Sequence, residues 1–347
     1  MAIRPHVKHT HVYKSDKATD IHLDVYLAAN TGSSESPKPV ILWFHGGYLV
    51  TGSRAAIPSW FLNYAIAHEW TLVSADYRVL PESTGFATTE DAIAAYEWVA
   101  TSLIGLHPEC HADPRRIIVA GASAGGWCTL VSALSLSKSS QNGIPRPKAL
   151  FLLYPFTDPG SEKWAQSLSL PDTTVDQAMA QKLLDEIPRR IAQGDTSLGE
   201  DFPKSEAELL TRKRLPLLYA ILERGIFLDY LTGLSGFGRQ VMSVGLENAV
   251  DERAKGLFPL DFGSFGPSFP ATVVVHGTAD REISCQESEK LVAKLKEGSA
   301  AVQYYPVPGA DHVFELELDE CHPDAGAQDS SSILLRALQA LQGYVNA

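Results

Sequence analysis

In the stretch VAGASAGGWCTL, residues 119–130, one serine stands at the joint between an apolar run and a helix-forming run. Gly121-Ala122-Ser123-Ala124-Gly125 has the G-x-S-x-G spacing in which a serine projects from a tight strand-to-helix turn. The small flanking residues let the backbone turn sharply. A hydroxyl at a helix N-terminus sits where developing negative charge is favoured. The chemistry this permits is nucleophilic attack on an acyl carbon. Such a serine needs a base, and the base needs an orienting carboxylate.

Of the eleven histidines, His312 in PGADHVF follows the last strand-like run, in a loop before the final helix. His6, His9 and His11 lie near the terminus, and His107, His111 and His322 in polar loops, so they are weaker candidates. VVVHGTADREIS places Asp280 just past a buried strand, as an acid would need. Asp76, which ends an earlier strand, is a rival. Asp311 is another, although the side chains of neighbours such as Asp311 and His312 diverge. The order Ser123, Asp280, His312 is the one found when a serine elbow opens such a triad. An acyl oxygen also needs backbone N–H donors. FHGGYLVTGS offers Gly46 and Gly47 after a buried strand, and Ala124 follows the serine. His45 reads as a brace for that loop rather than as a base.

These residues need strand ends to hold them. HTHVYKS and IHLDVYLA alternate apolar and polar residues, as a hairpin at a sheet edge does. PVILWFHGG, TLVSADYR, RRIIVAG, KALFLLYPF and ATVVVHG are apolar runs suited to strands buried on both faces. SWFLNYAIAHEW has helical periodicity, and TEDAIAAYEWVATSL opens on a Thr/Glu/Asp cap and continues as a helix. CQESEKLVAKLKEG and SSSILLRALQALQGYV read as helices too. The alternation predicts an α/β fold, a mostly parallel central sheet with helices on both faces. From about Thr157 to Phe262 no strand is evident. VDQAMAQKLLDEIPRRIAQG and SEAELLTRKRLPLLYAILERGIFLDYLTGL read as helices, the second with capping-box spacing between Ser205 and Glu208. The expected organisation is a core of 1–156 and 263–347 carrying a helical cap, or lid, at 157–262.

The 347 residues are ample for one continuous core, with 45% hydrophobic and 20% charged residues, as in ordinary soluble globular proteins. A net charge of −12 argues against nucleic acid as a partner. Cys110, Cys128, Cys285 and Cys321 form no C-x-x-C pair and read as free thiols in a reducing compartment. Cys110 precedes His111, but two residues do not make a metal site, so neither metal nor cofactor is expected. No apolar run reaches the ~20 residues of a membrane span. MAIRPHVKHTHVY shows no secretory signal and GYVNA no retention signal, so a cytoplasmic protein is expected. The oligomeric state stays open, a homodimer included.

Taken together and in order, HGGYLVTGS, DYRVLPE, GASAGG, HGTAD and GADHVF resemble the hormone-sensitive-lipase-like (fold-3) group of α/β-hydrolase esterases. The resemblance covers the chain outside 157–262. It implies a cofactor-free serine hydrolase of small-molecule carboxylic esters, acting through an acyl-enzyme beneath a helical cap. It implies Ser123 as nucleophile, His312 as base and Asp280 as acid, with an oxyanion hole of Gly46, Gly47 and Ala124. Asp76, Arg78 and Glu82 of DYRVLPE would be structural. The same triad also serves acyl transfer, cyclisation and product release in small-molecule biosynthesis, and the HGGY spelling resembles arylformamidases. A non-catalytic ligand-binding protein on this fold is the less favoured alternative. The chain departs from the group at three points. Tyr48 replaces the third glycine of HGGG, Ala122 the acidic residue before the nucleophile, and Trp127 the asparagine after AGG. Tyr48 and Trp127 are therefore expected to shape the substrate pocket.

Overall fold

The apolar and alternating runs come together in one sheet. The computed structural model describes residues 4–16, 19–29, 36–138, 143–170, 176–203, 208, 212–322 and 326–347. Its strands are β1 (His6–Asp16), β2 (Thr19–Ala28), β3 (Lys38–Phe44), β4 (Thr71–Ala75), β5 (Ala112–Ala122), β6 (Ala149–Leu153), β7 (Ala271–Gly277) and β8 (Val302–Val307). Across the sheet they run β1-β2-β4-β3-β5-β6-β7-β8. The β1/β2 and β2/β4 pairs are antiparallel, and every pair from β4 to β8 is parallel. The hairpin thus takes the edge and the apolar runs take the interior, because only strands covered on both faces can be apolar throughout.

Two-residue alternation sorts the strand side chains between two cores. Val40, Leu42 and Phe44 of β3 and Val119 of β5 join one apolar cluster, and Ile41, Trp43, Ile118 and Ala120 join the other. Helices α1 (Ser59–Ala67), α2 (Gly85–Thr101) and α3 (Ala124–Lys138) connect the first strands. The insertion between β6 and β7 contributes α4 (Gln177–Gln193), α5 (Arg214–Glu223), α6 (Phe227–Thr232) and α7 (Phe237–Val244). Helices α8 (Cys285–Glu297) and α9 (Ser330–Asn346) complete the fold. α2, α3, α8 and the insertion cover the first cluster, and α1 and α9 the second. Among the described residues of 157–262 there are helices and tight turns and no strand.

Two helix boundaries differ from expectation. Helix α2 begins at Gly85, not at the Thr89 cap, and Thr84 makes no side-chain cap bond. The Thr/Glu/Asp residues are occupied otherwise. Thr89 Oγ1 donates back to the Gly85 carbonyl at 2.8 Å. The Asp91 carboxylate accepts Arg78 Nε and Nη2, both at 2.8 Å, and Lys14 Nζ at 2.7 Å. In the insertion the long apolar run is two helices broken at Gly225, which has φ +63°. Ser205 of the expected capping box lies outside the described residues.

The insertion is tied to the core by buried polar contacts. Arg214 at the start of α5 donates Nη1 to both oxygens of Glu82, at 2.9 and 2.7 Å. Its Nε reaches the Val50 carbonyl at 2.8 Å and its Nη2 the Leu80 carbonyl. Arg190 of α4 adds a second cation to Glu82 at 2.7 Å. Glu82 is the last residue of the DYRVLPE stretch, and Asp76 of the same stretch binds Arg54. These residues tie loops together through their ion pairs. At the other end, Glu287 Oε2 of α8 accepts the backbone N–H groups of Thr157 and Asp158, both at 3.0 Å. Burial pushes the Glu287 carboxyl up to about 7, against the lowering effect of those two N–H groups.

Two outcomes follow from these anchors. Arg214→Ala leaves the Glu82 carboxylate buried with less compensation, and is expected to lower the unfolding free energy by roughly 3–5 kcal/mol in a urea titration. For Glu287 the folded-state pKa lies above the ordinary 4.5, so ionisation opposes folding as pH rises from about 4.5 through about 7. Glu287→Gln cannot ionise. Its melting temperature is expected to gain on the wild type between pH 4.5 and 8, and a gap that stays constant over that range would refute the buried-carboxyl account.

Candidate active site

Ser123 follows β5 and precedes α3, at φ +52°, in the left-handed region that a non-glycine residue occupies only at a cost. Three backbone bonds hold it there. Its N–H donates to the Leu153 carbonyl at 3.0 Å, and its carbonyl accepts the N–H groups of Gly126 and Phe156, both at 2.9 Å. The flanking glycines are required by contact. A Cβ on Gly121 would lie 2.2 Å from the Gly125 carbonyl oxygen, and a Cβ on Gly125 2.0 Å from that of Phe44.

His312 lies in the loop after β8, with Nε2 3.2 Å from Ser123 Oγ and Nδ1 2.7 Å from Asp280 Oδ2. With Nδ1–H donating to the carboxylate, Nε2 is the free acceptor for the serine hydroxyl; these partners assign the tautomer. The other carboxylate oxygen, Oδ1, accepts the N–H groups of Glu282 and Ile283, both at 2.9 Å. Burial alone would raise the Asp280 carboxyl. Hydrogen bonds from His276 and His312, the His312 charge and the Ile283 N–H outweigh it and hold Asp280 well below the usual carboxylate range. The rivals are elsewhere: Asp76 is paired with Arg54, and Asp311 faces Arg281 at 2.6 Å near the surface.

Sequence reading passed over several neighbours. His276, the first residue of HGTAD, is buried, and its Nδ1 lies 2.7 Å from Ser288 Oγ. With Ser288 donating there, His276 Nε2–H points at both Asp280 Oδ2, 3.1 Å away, and the Ile283 carbonyl, 2.9 Å away. Asp280 Oδ2 therefore accepts from two imidazoles. The signal was the four-residue spacing of His276 and Asp280 across one strand-end turn. Tyr154 packs its ring 4.6 Å from that of His312 and donates its hydroxyl to the buried Glu315 at 2.5 Å.

Gly46 borders the serine so closely that a Cβ on it would lie 3.2 Å from Ser123 Cβ. Gly47, at φ +111°, turns the loop where a Cβ would meet the Thr51 carbonyl oxygen at 2.3 Å. Ala124 opens α3, so its N–H has no acceptor within the helix. His45 is stacked on Tyr77 at 4.2 Å, with Nδ1 2.8 Å from the Gly46 carbonyl, inside the loop rather than beside Ser123. Tyr48 donates its hydroxyl to Glu282 Oε2 at 2.8 Å, and that oxygen is 3.9 Å from His312 Nε2. Trp127, the other residue expected at the pocket, lies four positions after Ser123 on α3. It is fully buried, and its indole N–H donates to the Leu257 carbonyl at 2.9 Å, so it joins α3 to the insertion. The assembled groups amount to a serine oxygen, an imidazole aimed at it, a fixed carboxylate behind the imidazole and a glycine loop alongside.

A family model for the α/β-hydrolase fold matches residues 41–197. The chain has the α/β-hydrolase fold. Among solved structures, one described as a bacterial heroin esterase superposes with a TM-score of 0.61 at 18% identity, covering 100% of this chain and 86% of that one. Non-reducing polyketide synthase Preu6 of Preussia isomera is 28% identical over 319 residues, 88% of this chain and 14% of the synthase. Esterase LipI of Mycobacterium tuberculosis is 36% identical over 138 residues, 40% of this chain and 39% of that enzyme. The chain thus spans about 14% of the length of the first of these curated relatives. Among the described residues no helix is long and apolar enough to cross a membrane.

Proposed function

We propose that the chain is a serine hydrolase of carboxylic esters, working through a Ser123–His312–Asp280 triad. The observation that carries the reading is the continuous hydrogen-bond path from Ser123 Oγ through His312 to Asp280, at 3.2 and 2.7 Å. Ser123 Oγ attacks the ester carbonyl as its proton passes to His312 Nε2. Asp280 holds the imidazole tautomer and stabilises the cation. The N–H groups of Gly46, Gly47 and Ala124 receive the developing oxyanion. His312 then returns its proton to the leaving alcohol, and water releases the acyl group by the reverse sequence. In this reading 157–262 is the cap. Its support is the chain path, which leaves the site through Phe156, bonded to Ser123, and returns through α6 and α7 onto the same apolar cluster. Four free cysteines support a reducing, cytoplasmic setting.

A second reading differs only in what attacks the acyl-enzyme. The match to a polyketide synthase extends over 88% of this chain, against 40% for the esterase. That breadth favours an acyl group of biosynthetic origin, released by transfer or cyclisation as well as by water.

Ser123→Ala is expected to abolish turnover of short p-nitrophenyl esters with the melting temperature kept, and unchanged hydrolysis would overturn the assignment. Asp280→Asn should lower kcat by about 10³–10⁴, since the imidazole loses its tautomer. Product analysis with a competing alcohol separates the two readings. Free acid alone means hydrolysis, and a new ester in proportion to the alcohol means transfer.

A further inference from the structure

A second cluster of chemistry-bearing side chains lies at the opposite end of β5 from Ser123. β1 carries His9 and His11 two residues apart, so both rings fall on one face of the strand. His107 sits in the connection from α2 to β5, buried, with the exposed Glu109 two residues on. The His9 and His107 rings are 4.6 Å apart, and His107 Nδ1 is 3.1 Å from Glu109 Oε1. Ligand atoms of His9, His107 and Glu109 all lie within 4.8 Å of one another. A cleft of ≈180 Å³ lined by His9, Glu109 and Cys110 opens beside them.

We propose that His9, His107 and Glu109 bind a divalent transition-metal ion of the Zn²⁺ class. Two imidazoles and a carboxylate suit that class, and three protein ligands leave one tetrahedral position for water from the cleft. The atoms need to close only modestly, because ligands at about 2.0–2.1 Å from zinc stand about 3.3 Å apart. His11 supplies the supporting contact. Its Nε2 is 2.9 Å from His107 Nε2. With the metal on His107 Nδ1, the remaining proton of that ring sits on Nε2 and is donated to His11, which orients the ligand. The ion would clamp the edge strand β1 to the turn before β5, two segments that are not neighbours in the sheet. The eleven residues of β5, about 35 Å at 3.3 Å each, separate this clamp from Ser123. It is therefore structural and independent of the hydrolase reading.

The test uses the full chain, freed of metal by a chelator and titrated with Zn²⁺ by calorimetry, with melting temperatures recorded alongside. Wild type should take up one equivalent and melt several degrees higher. His9→Ala, His107→Ala and Glu109→Ala should each lose that uptake, and His11→Ala should weaken it about 10–100-fold. Ester turnover should be unchanged in all four. Failure of the wild type to bind, or uptake that survives in His9→Ala and Glu109→Ala, overturns the proposal. The exposed Glu109 keeps the test decisive if His107→Ala does not fold.

Discussion

The first turn of α3 lies against the end of β3 with no room for a side chain between them. A Cβ on Gly125 would sit 2.0 Å from the Phe44 carbonyl oxygen, and one on Gly121 would strike Gly125 itself. This close approach forces Ser123 into its left-handed conformation, with its side chain above the sheet. It also brings the loop that leaves β3, with Gly46 and Gly47, alongside the serine. Strand order does the rest. β5 lies at the centre of the parallel part of the sheet, β7 and β8 follow across β6, and the loops leaving them bring Asp280 and His312 to the same edge. A ligand crevice at the carboxyl ends of parallel strands is the general outcome of this architecture.

The insertion is fixed at several separated points rather than along one hinge. Glu82 takes Arg214 and Arg190, Glu287 takes the backbone of Thr157 and Asp158, and Trp127 bonds to Leu257. Each is a buried polar contact. Breaking one leaves an uncompensated group, so these contacts fix geometry more strongly than they add net stability. The apolar faces of α5 and α6 supply the area, with Leu217, Leu218, Ile221, Phe227 and Leu228 in the same cluster as Phe156 and Trp164. Polar anchors on an apolar contact give the insertion one seating on the core.

Much of this was legible in the residues. Period-two alternation marked the edge hairpin, unbroken apolar runs marked the buried strands, and turn glycines marked the strand ends where reactive side chains could stand. The residues expected at Ser123, Asp280 and His312 lie together because each occupies such an end. What stayed hidden depends on distant partners. The start of α2 could not be read from Thr89, since the acidic residues after it answer to Arg78 and Lys14. Nor could the role of Trp127, whose partner Leu257 is 130 positions away. His276 was hidden for a different reason: its four-residue spacing from Asp280 was its one signal, and a histidine at a strand end otherwise reads as a packed one.

Tyr48 shows how a departure in sequence becomes a feature of the site. Glycine in its place would leave Glu282 without the phenol that accompanies it. With tyrosine, the hydroxyl fixes Oε2 3.9 Å from His312 Nε2, and Lys163 holds the Glu282 backbone carbonyl. His312 is thus flanked by two carboxylates of different standing. Asp280 is buried and accepts four hydrogen bonds, so it is fixed and ionised. Glu282 is partly exposed and held by one neutral donor, on the side of the imidazole that faces Ser123. In the proposed mechanism a carboxylate there favours the imidazolium once it forms.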